Sequence, residues 1–340
     1  MSTSVKFLKA EAGKQTAFGT PVSPDFKLPF TGAYTDAQEE QVAEWDAGFW
    51  TPTAIVEKTA DMATISLSGA MFFELLPVFL SAGFGDLTPG GAGPYDYDDE
   101  LDPAAVGAPI PYTFLLGGNE ALGGTGPAVK IQDAYLRTMS LSFSISNRQV
   151  TVQSEWFGLS VNDNAGAGFA FIGAALPTSL GMMKGLLAAL DIQDAATSGG
   201  DFATMTAFEC SLLDWTLNID TGLRPKWAAE ENALTYCGYY HEVPAVTFTP
   251  TIRTDSTNYA LVKAKANART FQELMLTLNG DASRQVKWQM TGRFLPNFTA
   301  HGRANNEVVM SPTFRAETPY TQTTTPHMFG WELDTLWSHT

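Results

Sequence analysis

Between Leu136 and Val161 the chain alternates apolar and polar residues twice, with a short connection around Asn147. In the first run Met139, Leu141, Phe143 and Ile145 alternate with Ser140, Ser142, Ser144 and Ser146. In the second, Val150, Val152, Ser154 and Trp156 alternate with Thr151, Gln153, Glu155 and Phe157. A pleated strand sends successive side chains to opposite faces, so each run has an apolar and a polar face. Joined by so few residues, they read as an antiparallel hairpin covered on one side only. A buried parallel strand would be apolar on both faces.

The same alternation recurs along the chain. At Met62–Ala70, Ala63, Ile65 and Leu67 oppose Met62, Thr64, Ser66 and Ser68. At 208–220, Leu213, Trp215, Leu217 and Ile219 share a face; at 245–253, Val246, Phe248, Pro250 and Ile252 do. Pro250 has no amide hydrogen, which predicts an edge strand or a bulge there. Strands at 272–278 and 285–294 flank the turn signal NGDASR and predict a second hairpin. Helical spacing of Phe72, Leu75, Leu76 and Phe79 predicts a short helix over 71–83, with Pro77 in its first turn or at a kink. A second helix is predicted at 258–267. A third is predicted at 180–190 from Met183, Leu186, Leu187 and Leu190, weakened by Gly181 and Gly185. The acidic run 35–46 reads as a solvated helix or a loop.

Both halves therefore read strand, short helix, hairpin, which predicts a duplicated unit. The expected fold is mainly β, an α+β class built of sandwich or barrel domains with short packing helices. The expected organisation is an N-terminal arm, 1–30, and a first domain, 31–190, containing a Gly- and Pro-rich loop, 84–128, with the acidic cluster YDYDDELD. A linker, 191–203, leads to a second domain, 204–296. The segment 297–340 is expected to dock Trp331, Leu333 and Trp337 on the body or on a neighbouring subunit.

Composition narrows the function. Thirty Gly and 19 Pro in 340 residues argue against a helical bundle. The net charge of −16 argues against tight binding of a nucleic-acid backbone. The first 200 residues hold 22 acidic and 9 basic side chains, a spread-out acidity suited to solubility or to lining a passage for a polyanion. Two cysteines, Cys210 and Cys237, form no disulfide scaffold. No signal-peptide pattern and no membrane-length apolar run is present. HExxH, GxSxG and GxxxxGK[ST] are missing. Cys237 and His241 alone supply too few ligands for structural zinc. Counting from Asp96, Leu101 and Gly107 stand where a calcium loop needs Gly and Glu. No catalytic, cofactor-binding or metal residue is therefore assigned, and no enzyme activity is expected. A sugar platform of Trp156, Trp215, Trp227 and Trp288 is the competing reading, for a carbohydrate-binding module or hydrolase; a different virion or secretion-tube component is another.

Four stretches in order, QTAFGTPVSPDFKLPFTG (15–32), ISLSGAMFFELLPVFLSAGFG (65–85), YLRTMSLSFSISNRQVTVQSEWFG (135–158) and LLDWTLNIDTGLRPKW (212–227), resemble the tail tube, or major tail, proteins of long-tailed bacteriophages. The likeness covers most of the chain and lies in pattern and element order. It implies a structural virion protein of the phage tail, assembled in the host cytoplasm, whose stacked rings share a β-barrel and form the conduit for DNA delivery. Self-association is implied, with trimeric rings of pseudo-sixfold symmetry favoured over hexameric rings. Tail terminator, tape measure and baseplate or tip proteins are implied partners; DNA passes without specific binding, and no membrane or cofactor is implied. On this reading the hairpins 137–161 and 273–294 form the channel wall. Ser140, Ser142, Ser144, Gln153 and Glu155 would face inward, and Arg284 and Lys287 complicate the second hairpin.

Overall fold

The computed structural model describes residues 4–7, 9–45, 53–85, 87, 89–90, 95–97, 99–100, 108–117, 128–162, 171, 173–177, 179–194, 202, 205–207, 212–227, 235–281, 283–304, 307–317 and 328–338. They form a mixed α+β fold with extensive antiparallel sheet and few short helices. The strands used below are β1 (Lys9–Lys14), β2 (Thr31–Trp45), β3 (Thr53–Ala70), β4 (Tyr112–Gly117), β5 (Ala128–Ser144), β6 (Val150–Gly158), β7 (Ala188–Asp194), β8 (Leu212–Asp220), β9 (Ala245–Arg253), β10 (Gln272–Asn279), β11 (Gln285–Phe294) and β12 (Phe329–Thr335). The helices are α1 (Leu76–Gly83) and α2 (Ser256–Ala268).

The hairpin legible in the alternation is β5–β6, registered from Phe143 opposite Val150 to Tyr135 opposite Phe157, with a bulge at Glu155/Trp156. Its β6 edge pairs with β3, which pairs with β2. Its β5 edge pairs with β8, which pairs with β9. The order β2–β3–β6–β5–β8–β9 is thus one antiparallel layer drawn from both halves of the chain. The short strand Phe314–Ala316 bonds to β9 on one side and to β11 on the other, carrying the network on to β11, β10 and β7. Strand β12 pairs with β11 beside it. Among the described residues these pairings close no barrel.

β5 serves two sheets. Its first residues pair with β4, which pairs with β1. Its later residues pair with β6 and β8. Gly158 permits the crossing, since a Cβ there would stand 2.6 Å from the Ile131 side chain.

Burial follows the predicted alternation. Ala63, Ile65 and Leu67, Met139, Leu141 and Phe143, and Val150, Val152 and Trp156 all face the core. So do Leu213, Trp215, Leu217 and Ile219 of β8 and Val246, Phe248, Pro250 and Ile252 of β9. Buried side chains from both halves form one contiguous cluster. Helix α1 is buried throughout, with Pro77 in its first turn, and a 3₁₀ turn, Phe73–Leu75, leads into it. Phe79 packs edge-on against Trp156, ring centres 5.5 Å apart. Helix α2 is capped by the Asp255 carboxylate, which accepts from the Asn258 amide at 2.7 Å, and stops at Arg269 in the left-handed region (φ 55°). Its Val262 and Ala266 are buried.

Several expectations change. The helix predicted at 180–190 is a 3₁₀ turn, Gly185–Leu187, followed by β7, whose Leu190 and Ile192 are buried while Leu186 and Leu187 are exposed. Gly185 is the cause: it lies so close to the Phe143 ring that a Cβ would approach within 2.0 Å, which pins this backbone flat on the core. Pairing with β10 then holds residues 188–194 extended. The acidic run 35–46 is neither helix nor loop through Trp45; it is the second part of β2, registered against β3. Residues 191–194 of the expected linker belong to β7, and 195–200 lie outside the described residues. Asp96 and Glu100 of the acidic cluster sit in short strands against β12; Asp98 and Asp102 lie outside the described residues. Pro250 is within an internal strand, opposite Trp215, in the gap between the two short strands on the far edge of β9. Trp331 and Leu333 are buried in the chain's own core, and Trp337 packs on Phe26 at 5.4 Å.

Candidate functional site

The outer face of the β2–β9 layer is built from the polar half of each alternation. Ser66 and Ser68 of β3, Gln153 and Glu155 of β6, Ser140, Ser142 and Ser144 of β5, Asn218 of β8 and Thr247, Thr249 and Thr251 of β9 all lie on it, opposite the buried set. Cross-strand bonds tie it together. The Ser140 hydroxyl donates to Asn218 Oδ1 at 2.7 Å, and Ser142 and Thr151 share a hydroxyl–hydroxyl bond at 2.9 Å. Ser66 donates to the Ala33 carbonyl at 3.2 Å. Hydroxyls that bond one another across strands hold the face in one geometry while leaving it wettable.

Two concavities adjoin on this face. One, of about 550 Å³, is floored by Ser66, Ser68, Ser140, Gln153, Glu155 and Asn218. The other, of about 560 Å³, shares Ser66 and Glu155 and is walled by Arg224, Pro225, Trp227 and Tyr240. That wall is a two-stranded ribbon, Leu223–Lys226 against Gly238–His241. The bulge at Glu155/Trp156 explains how it is seated. Trp156 and Phe157 are both buried, and Phe157 joins Tyr135, Leu223 and Tyr236 in a second aromatic cluster beneath the ribbon. The Thr221 hydroxyl donates to the Leu136 carbonyl at 2.8 Å. Gly222 turns the chain at φ +75°, where a Cβ would lie 2.3 Å from the Glu242 carbonyl oxygen.

Two arginines line the second concavity: Arg137 is exposed, and Arg224 is matched by carboxylates. Arg224 bonds Asp220 at 2.9 Å and Glu242 at 2.9 Å. Burial pushes the Asp220 carboxyl up, but the Arg224 bonds and the Gly222 amide outweigh it and hold the group below the usual carboxylate range. Burial pushes His241 down, which favours its neutral form at neutral pH. The three cations of the second hairpin also stand against carboxylates, Arg293 against Glu317 at 2.8 Å. Lys287 is bonded to Glu332, which also accepts from Gln289 at 2.7 Å. Arg284 is buried and binds Glu74 at 2.5 Å, together with Asp281 and the Ser179 carbonyl.

The second hairpin is more covered than the first. In β10–β11, Glu273, Thr277 and Thr291 are buried, whereas Gln285, Lys287, Gln289 and Arg293 of β11 are half-buried. The first hairpin carries exposed polar residues, Gln153 and Glu155; the polar side of the second is narrower. The tryptophan platform is not assembled. Trp156, Trp215 and Trp288 are core residues, and only Trp227 of that set is exposed. Cys237 donates to the Lys226 carbonyl at 3.4 Å, and His241 stands edge-on to Tyr239. Among the described residues no group of three or more His, Cys, Asp and Glu is placed to hold a metal ion.

Sequence reasoning found the hydroxyl face but not its ribbon wall. The only local signals were the turn glycines Gly222 and Gly238 around short runs, LRPK and GYYH. No protein-family model matches the chain, and no curated protein matches it in sequence.

Proposed function

We propose that this chain is the structural subunit of a phage tail tube, stacking as homo-oligomeric rings into a hollow conduit for DNA. The observation that carries the reading is the wide hydroxyl and amide face on strands from both halves of the chain. A polyanion passing such a wall meets hydrogen-bonding groups and few unmatched cations: Arg224, Arg284 and Lys287 are each matched by carboxylates, although Arg137 beside the second concavity is exposed. Adhesion to a nucleic-acid backbone needs clustered unmatched cations.

Open strand edges support self-association. Among the described residues the outer edge of β2 is covered only at Gly32–Thr35, by the short strand Ser4–Phe7. Beyond Ala63, β3 leaves β6 behind and, past a single bridge from Asp61 to Thr235, the β2–β3 pair runs on as far as Trp45 opposite Thr53 with no third strand among the described residues. Isolated two-stranded ribbons are marginal in water, and open edges invite pairing with another chain. Along the chain β3 is followed by α1, β4, β5 and β6, and β9 by α2, β10 and β11, so the two halves share strand, helix and hairpin with β4 inserted in the first; in space Phe314–Ala316 lies between β9 and β11. On this reading the two sets are a duplicated tube unit. Three chains would then complete a pseudo-sixfold ring, six being the alternative if the second unit decorates the outside. Barrel closure would occur between subunits, and terminator, tape measure and tip proteins would be the partners along the tail.

Negative-stain imaging of the concentrated purified chain tests this. Rings or hollow filaments are expected. Monomer at every concentration and ionic strength would overturn it.

A further inference from the structure

The two concavities of the polar face share Ser66 and Glu155 and so form one trough, running from the Leu223–Lys226/Gly238–His241 ribbon across β3, β6 and β5 to Asn218 and Thr247. Its wall and its floor differ in chemistry. On the wall, Trp227 and Tyr240 are each 46% exposed, although both are large aromatics. Trp227 meets the buried Tyr236 edge to face, ring centres 6.4 Å apart, which braces the indole while leaving much of it wet. On the floor Gln153 and Glu155 are exposed, and Arg137 stands exposed beside them. Among the described residues none of these three side chains makes a hydrogen bond or an ion pair. Asn218 Oδ1 is taken by the Ser140 hydroxyl, which leaves the Asn218 NH2 group to donate.

We infer that this trough binds a neutral, linear oligosaccharide. The inference goes beyond the tube reading and does not depend on it. A pyranose ring has an apolar C–H face and a rim of hydroxyls, each of them both donor and acceptor. Trp227 and Tyr240 offer flat apolar surface to the face. Gln153, Glu155, Asn218 and Arg137 offer acceptors and donors to the rim, and their planar groups match pairs of adjacent hydroxyls. Charge sets the class of ligand. The charged residues lining the trough are two arginines, Arg137 and Arg224, and two carboxylates, Glu155 and Asp220. Arg224 is already bonded to Asp220 and Glu242. Such a balance favours neither a polyanion nor a cation. The two concavities, of about 550 and 560 Å³, each fall within the roughly 300–1,000 Å³ of small-ligand sites, so together they suit several linked rings rather than one. Cross-strand bonds already hold the floor, so little of it has to be ordered when a ligand arrives.

The test is calorimetric titration of the full chain, kept below any concentration at which it assembles. The probes are cellotetraose, maltotetraose, mannotetraose and chitotetraose, with tetragalacturonate and a thymidine tetranucleotide as charged counterparts. At least one neutral tetrasaccharide is expected to bind, with the same affinity at low and high salt, because a neutral ligand has no charge to screen. Trp227→Ala and Tyr240→Ala should each weaken that binding about tenfold or more. Gln153→Ala/Glu155→Gln should do the same through lost hydrogen bonds. Its two positions are exposed, so its unfolding midpoint is expected to stay at the wild-type value. Binding of none of the four neutral probes would overturn the inference. So would binding of the charged probes alone, or neutral-sugar binding that all three variants retain. Each of those results leaves the tube reading to its imaging test, and a chain that stays monomeric there leaves sugar binding to this one.

Discussion

Replacing Arg284 by methionine is expected to be among the most damaging single changes to the fold. Glu74 sits at the entry to α1 with its side chain fully buried. One carboxylate oxygen accepts from Arg284 Nε at 2.5 Å and the other from the Gly181 amide at 2.7 Å. Burial alone disfavours the guanidinium charge, but Glu74 and Asp281 outweigh it and raise its proton affinity. Arg284→Met strands a carboxylate in the core with one remaining donor, a change worth about 3–5 kcal/mol. That is a large share of the roughly 5–15 kcal/mol that holds a typical domain folded. Glu74→Leu/Arg284→Met removes both charges and leaves the Gly181 amide unpaired, at about 1–3 kcal/mol. The double variant should therefore be more stable than Arg284→Met alone. Urea unfolding reads this directly, because Trp156, Trp215, Trp288 and Trp331 are all buried and report loss of the core. A loss below about 1 kcal/mol for Arg284→Met, or a double variant no better than the single, would refute the reasoning.

The same geometry sets other expectations. Gly185→Ala places a methyl against the Phe143 ring and should cost about 1–3 kcal/mol by thermal unfolding; a neutral outcome would mean the segment lifts freely. The bonds from Lys265 hold Asp194 below the usual carboxylate range, so their stabilisation is present above about pH 4 and is lost as pH falls through the depressed value. The stability gap between wild type and Lys265→Met should accordingly narrow toward pH 2; a constant gap would show that the charge pair is not the cause. Placing lysines on the polar face, as Ser140→Lys/Gln153→Lys, should leave assembly intact while making filaments retain duplex DNA at low salt. Equal retention by wild-type filaments would remove the non-adhesive wall from the account.

The strands could be read from the sequence because their two faces differ: the serines of β5 and the glutamine and glutamate of β6 lie opposite Met139, Leu141 and Val152, as their alternation demands. Helix α1 was legible for a related reason, its apolar spacing and Pro77 agreeing with a buried first turn. Segments without a one-sided pattern were not. β2 is long and acidic, and its extended form comes from a registered partner, β3, across a connection that periodicity does not report. In 180–190 the leucines have helical spacing, but close approach of Gly185 to Phe143 and pairing with β10 override it. The polar face was visible residue by residue. The ribbon that walls it was not, because its position depends on Phe157 and Tyr135 joining Tyr236 in the cluster beneath the ribbon.

A density map of the assembled filament is the most direct measurement. The account predicts a continuous channel whose surface is formed by Ser66, Gln153, Ser140, Asn218 and Thr247, repeated around the axis. If the map instead places that face against solvent on the outside, or buries it between copies with no lumen, the conduit is not built from this sheet.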